Sequence, residues 1–243
     1  MTGKSQAESG EIERRQATAL ANAASKTSGL EHYIWSTLVS ATKRSNGKYP
    51  VPHMDYKAEV DEYIKQELPQ LAKKTTYLQV GWYPSNIAFL PVSKPIEWPG
   101  SYGAYIWIHP TTPDSGIYIA GDMNVTTGIW VKAILEQPDK TYEKYVSQAT
   151  DYLTWAEILE VWSKVTGKRA SILQVSYDDF VRVWGPLGAE YAEQLKFGEI
   201  LTLEDWKHLG PGPHVSNEEL GIDLKGIGLE DALEAFHAAG LLA

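Results

Sequence analysis

Two successive units of helix followed by strand, in the first third of the sequence, constrain this chain more than any other feature. Glu11–Ser25 is rich in Glu, Arg, Gln and Ala, and Ile12, Ala19, Leu20 and Ala23 fall on roughly one face, the pattern of a surface-covering helix. Gly29 ends it, and the aromatic and branched run Leu30–Thr37 reads as a short buried strand. Ala41–Pro52 is polar, carries Gly47, Pro50 and Pro52, and reads as a loop. A second helix follows from about Met54 to Gln66, with Val60, Tyr63 and Ile64 as its inward stripe; Pro69 marks its stop. Thr75–Tyr83 is the next strand. This alternation predicts an α/β fold with a parallel sheet, and a ligand site beyond the carboxyl ends of the strands, near Ser36-Thr37 and Trp82-Tyr83-Pro84.

From Pro91 to Pro113 the chain changes character, with frequent Pro and Gly around a short strand at Tyr102–Ile108. Further on, Gly116–Asp122, Lys144–Gln148 and Ser171–Val175 read as strands and Val125–Glu136 as a helix. Thr154 caps the amphipathic helix Trp155–Thr166, which Gly167 closes. Tyr177–Trp184, Gly188–Ile200, Ser216–Leu220 and Leu229–Ala239 read as helical, with a loop at Gly210–Pro213. The expected organisation is therefore a Rossmann-like portion over residues 1–90. A smaller mixed α/β substrate lobe follows over 91–243, with elements returning to the first portion.

Composition narrows the partners. A net charge of −9, with no run of Lys and Arg, argues against nucleic acid. The absence of Cys excludes thiol chemistry and thiolate metal sites, and six scattered His show no ligand spacing, so no metal is expected. No stretch approaches the ~20 apolar residues of a membrane span, and Met1–Gly10 lacks an apolar signal core, so the expectation is a cytoplasmic protein without a membrane partner. Nine Trp and fourteen Tyr fit either an aromatic core or a pocket for a flat apolar molecule.

The run Val51–Val60 carries the chemistry that stands out. His53 and Lys57, four residues apart at the start of the second helix, share a face, and both handle protons. The same spacing also suits an exposed helix surface with a His in a loop.

Three segments, Leu30-Glu31-His32-Tyr33-Ile34-Trp35-Ser36-Thr37, Pro52-His53-Met54-Asp55-Tyr56-Lys57-Ala58-Glu59-Val60 and Gly81-Trp82-Tyr83-Pro84-Ser85-Asn86, carry a family likeness in their order and spacing. They resemble the second half of NmrA-like proteins, atypical short-chain dehydrogenases similar to isoflavone reductases. The resemblance implies that Lys57 lies by the nicotinamide ribose of NADP or NAD, and that Tyr83, Pro84 and Asn86 lie beside the nicotinamide. Ser36 and Thr37 offer hydroxyls from the preceding strand end. Conventional relatives carry a proton-delivering Tyr four residues before that Lys; His53 holds the place here and is the candidate acid or base.

The family's glycine-rich turn after a first strand has no counterpart, since Gly210–Gly212 and Gly226–Gly228 follow no suitable strand. A sheet lacking the preceding strands is expected to present an open edge. The resemblance implies an NAD(P)-dependent oxidoreductase acting on an aromatic or polycyclic small molecule, in secondary metabolism. Two alternatives stay open: a non-redox isomerase or cyclase on the same scaffold, and a non-catalytic nucleotide-sensing regulator. Oligomeric state is not legible.

Overall fold

The computed structural model describes residues 6–242. In chain order the first elements are α1 (Gln6–Ser25), β1 (Tyr33–Thr37), α2 (Ala41–Arg44), α3 (Pro52–Glu67), α4 (Pro69–Ala72), β2 (Thr75–Val80) and α5 (Ser85–Phe89). Next come β3 (Ile96–Glu97), β4 (Ala104–His109), β5 (Gly116–Ile119), α6 (Thr126–Glu136), α7 (Pro138–Thr141), β6 (Tyr145–Gln148) and β7 (Asp151–Thr154). The remainder is α8 (Trp155–Thr166), β8 (Arg169–Gln174), α9 (Tyr177–Glu199), β9 (His214–Val215) and α10 (Leu229–Ala238). The expected α/β class is what forms. Contacts divide the chain into two compact units, one holding the chain to Val80 with Gly128–Gln148 and His208–Asp223, the other holding the remainder.

In the first unit, four strands in the order β1-β2-β6-β9 pair in parallel throughout. α1 and α3 pack together against one face, and Ala17, Ala21, Val60, Ile64, Leu71 and Ala72 bury Tyr77 and Tyr145 between helices and sheet. Close approach of the helices depends on Gly10, where a Cβ would fall 2.1 Å from the Tyr56 ring. Among the described residues β1 has β2 as its only neighbour, so the expected open edge is present. The polar stretch read as a loop contains one helical turn, α2, because Asp55 gathers it from a distance. Its carboxylate accepts from Ser40 Oγ at 2.8 Å, from the Thr42 amide and hydroxyl at 2.9 and 2.7 Å, and from the Val51 amide at 2.9 Å.

In the second unit β4 lies between β3, antiparallel, and β8, parallel, while β5 and β7 form an antiparallel pair. The strand expected over Thr75–Tyr83 stops at Val80, and Trp82 instead makes an isolated bridge to Ile119. Gly81 permits this crossing, since a Cβ there would stand 2.8 Å from the Tyr118 carbonyl. α8 begins with the Thr154–Glu157 capping box and ends at Gly167, whose φ of 69° is left-handed. α9 is two helical pieces broken at Gly185, with φ of 63°, just before Pro186. Trp107, Trp155 and Trp82 meet edge to face, with His109 against Trp155, so this part of the aromatic content is core. Ser216–Leu220, expected as a helix, is turns, and the short strands β3, β7 and β9 were not expected.

Candidate functional site

Parallel register builds two rows of side chains on one face of the four-stranded sheet. Trp35, Tyr77, Tyr145 and His214 are cross-strand neighbours. Two residues further on, where the strand period returns to the same face, Thr37, Gln79 and Ser147 form a polar row at the carboxyl ends. Asp61 of α3 joins the rows: its carboxyl accepts from Trp35 Nε1 at 2.8 Å and from the Tyr145 hydroxyl at 3.0 Å, and also bonds Thr37. One turn on, Lys65 donates to the Tyr145 oxygen at 2.9 Å and lies over the Tyr77 and Tyr145 rings at 4.6 and 4.5 Å.

Burial pushes the Asp61 carboxyl up to about 7, against the Thr37 and Tyr145 hydrogen bonds, the Lys65 charge and the Trp35 hydrogen bond, all of which favour ionisation. Burial likewise lowers Lys65 and raises Tyr77 and Tyr145. Asp61 is therefore a carboxyl able to exchange a proton near neutral pH, and Tyr145 bridges it to a lysine. Both ends of the Gln79 amide, the Tyr77 hydroxyl and Ser147 Oγ are buried here without a hydrogen-bond partner.

The sequence-derived candidates fall in both units. Lys57 lies in the second turn of α3, a quarter exposed, ion-paired with Glu13 of α1 and 5.9 Å above the Trp35 ring. His53 occupies the first turn of the same helix, partly buried. Thr37 is fully buried, and its hydroxyl reaches both the Asp61 carboxyl and, at 3.3 Å, the Leu38 carbonyl. Ser36 is exposed on the opposite face of β1. Tyr83, Pro84 and Asn86 belong to the second unit: Pro84 caps α5, the Asn86 amide donates to the Tyr83 carbonyl at 2.9 Å, and burial raises the Tyr83 hydroxyl although the residue is 42% exposed. Sequence reasoning missed Asp61 and Lys65; their signal was the four-residue spacing that carries Lys57, Asp61 and Lys65 along one face of α3.

A nicotinamide dinucleotide fits these residues at one end. Lys57 is accessible and cationic, suited to a ribose hydroxyl, and the partnerless Gln79 amide marks the strand-end row as under-satisfied. At the pyrophosphate end the fit fails, because among the described residues no strand runs through a glycine-rich turn into a helix.

A parallel sheet flanked by helices, with a lysine on the helix that follows its edge strand, defines a Rossmann-like α/β protein. The NmrA-like family model matches residues 2–208, and the chain belongs to that family. An NmrA-like family domain-containing protein of Dictyostelium discoideum is 30% identical over 148 residues, 59% of this chain and 46% of that protein. Nitrogen metabolite repression protein nmrA of Emericella nidulans is 25% identical over 211 residues, 86% of this chain and 57% of that protein. The chain thus spans about half the length of the curated relatives it matches.

Among solved structures, NmrA, a negative transcriptional regulator, superimposes with a TM-score of 0.70 at 22% identity, over 94% of this chain and 72% of that one. Its complex with NADP matches at 0.63 and 23%, over 93% and 66%. The pinoresinol-lariciresinol and phenylcoumaran benzylic ether reductases match at 0.65 and 12% identity, over 92% and 71%. These likenesses show the fold.

Proposed function

We propose that this chain is an NmrA-like NAD(P)-dependent oxidoreductase that acts on an aromatic or polycyclic small molecule in secondary metabolism. One observation carries the reading: Lys57 stands accessible over the edge strand, one turn before the Asp61–Tyr145–Lys65 network. The cofactor supplies the hydride when bound. Lys57 would hold the ribose hydroxyl in place of its ion pair with Glu13, and its charge would favour the anionic form of a neighbouring acid. His53, one turn before Lys57, is the residue that would relay the accompanying proton. Tyr83, Pro84 and Asn86, in the second unit, are the residues that the family likeness offers for contact with a nicotinamide. The reading includes a small-molecule substrate, a cytoplasmic location, and no nucleic-acid or membrane partner.

A second reading, a nucleotide-sensing regulator without turnover, is favoured by one specific feature. A histidine stands where the family likeness places the proton-delivering tyrosine, and the lysine beside it is engaged by a carboxylate. Calorimetric titration of NADPH and NADH into the wild type and Lys57→Ala, followed by NADPH oxidation assays with aryl ethers and quinones, separates the two. Binding with turnover, both lost in Lys57→Ala, is the expected result; binding without turnover selects the regulator. No binding overturns both for this polypeptide.

A further inference from the structure

Lys57, Asp61 and Lys65 follow one another at four-residue intervals along one face of α3, and Trp35 of the edge strand β1 touches the first two. The indole N–H of Trp35 donates to Asp61 Oδ1 at 2.8 Å, while the Lys57 ammonium stands 5.9 Å from the centroid of the same ring. Lys57 is thus held at two points, the Trp35 ring and the Glu13 carboxylate of α1. A ribose hydroxyl that takes the place of Glu13 leaves the ring as the contact that locates the ammonium.

We propose that Asp61 is a positioning residue for Lys57: by fixing the Trp35 ring through its N–H, it sets the place of the Lys57 ammonium and tunes how tightly a dinucleotide is held at its ribose. The inference rests on the nucleotide reading of Lys57. An indole turns about two side-chain torsions, and a directional bond from its single N–H selects one setting. Asp61 can impose that setting because it is itself fixed, 3% exposed and tied to the Tyr145 hydroxyl at 3.0 Å and to Thr37.

A proton grades the control. Burial lifts Asp61 to about 7, so its protonated form prevails below that value and its carboxylate above. A carboxylate accepts an N–H roughly twice as strongly as a neutral carboxyl, so Trp35 is held more firmly as pH rises through about 7. Around Asp61 stand Lys65 and Glu62 of α3, Tyr77 of β2 and Tyr145 of β6, with His214 of β9 stacked on Tyr145 and Lys43 and Arg44 of α2 lining the same cavity. Burial raises both phenols and lowers Lys65 and His214. Asp61 is the group that takes the Trp35 N–H, so replacing it alone separates its proton from theirs.

The test is calorimetric titration of NADH and NADPH between pH 6 and pH 8 into the wild type, Asp61→Asn, Trp35→Phe, Trp35→Leu and Lys57→Ala, each with a native circular dichroism spectrum. NADH lacks the phosphate of NADPH that titrates near pH 6, and the Trp35 indole resonance is followed by NMR without nucleotide. Wild-type affinity is expected to rise about threefold or more over that range, and the Trp35 resonance to move with a midpoint near 7. Asp61→Asn, whose amide oxygen accepts the same bond without charge, should keep the pH 6 affinity of the wild type throughout. Trp35→Phe, with a ring but no N–H, should lose the same pH dependence, and Trp35→Leu should bind about threefold or more weakly at every pH. The positioning role alone is overturned if Lys57→Ala loses binding while Asp61→Asn and Trp35→Phe follow the wild-type profile, or if the wild-type Trp35 resonance ignores pH. If the wild type binds neither nucleotide, or Lys57→Ala binds like the wild type, the nucleotide reading falls and takes this inference with it.

Discussion

Asp61 is the residue on which the first unit turns, and its titration has a sign that can be checked. Burial lifts its carboxyl from 3.8 to about 7, so between those values the folded state holds a proton the unfolded chain has released. Stability from this group is complete below the unfolded value and is lost as pH rises through about 7. His109 in the second unit works the other way: burial lowers it to about 3, so its contribution is lost as pH falls below 6.5. The two slopes oppose one another in mildly acidic solution, and the wild-type profile alone conceals both.

Comparison with Asp61→Asn isolates the carboxyl, because the amide does not titrate. Relative to wild type, that variant is expected to gain roughly 2–3 kcal/mol in urea unfolding between pH 5 and pH 8, close to two units of proton linkage at about 1.4 kcal/mol each. Parallel pH profiles for the two proteins reject the buried-carboxyl account. Lys57 was legible in the sequence because a family pattern surrounds it. Asp61 was not: its four-residue spacing from Lys57 puts it on the same helix face, but its burial is decided by Trp35 and Tyr145, 26 and 84 residues away.

Elements became legible in proportion to the local signals they carry. α8 announces itself by the Thr154–Glu157 capping box and Gly167, and the break in α9 by Gly185-Pro186. The two-residue strands β3 and β9 exist only because a neighbouring strand pairs with them, and α2 only because Asp55 ties it down. β1 presents the opposite case, a strand with a clear aromatic signature and one side unpaired among the described residues. A row of open backbone groups templates pairing with another chain. Isolated protein is therefore expected to show a mass that rises with concentration in size-exclusion chromatography with light scattering. Ser36→Lys, at an exposed position of β1, is expected to reduce that rise without unfolding the sheet. A monomer at all concentrations removes the edge as an association site.

At the scale of the whole molecule, the sequence showed a parallel α/β protein but not how its segments interleave. The chain passes between the two compact units five times, at the boundaries after residues 80, 127, 148, 207 and 223. Local pattern cannot reveal this, because β6 and β9, which complete the four-stranded sheet, are separated from β1 and β2 by one and by two stretches of the second unit in sequence. The consequence is testable with a fragment of residues 1–90. It retains α1–α4, β1 and β2, but loses β6, so Tyr145 no longer stacks on Tyr77 and Asp61 and Lys65 lose the hydroxyl that joins them. A two-stranded parallel sheet with a buried carboxyl deprived of a donor is expected to fail as an independent fold. The fragment should keep helical circular dichroism yet bind a hydrophobic dye and melt without a cooperative transition, whereas the full chain melts sharply. A sharp, dye-free transition in the fragment shows instead that α1, α3 and the β1–β2 pair suffice, and that β6 and β9 are additions to a core already complete.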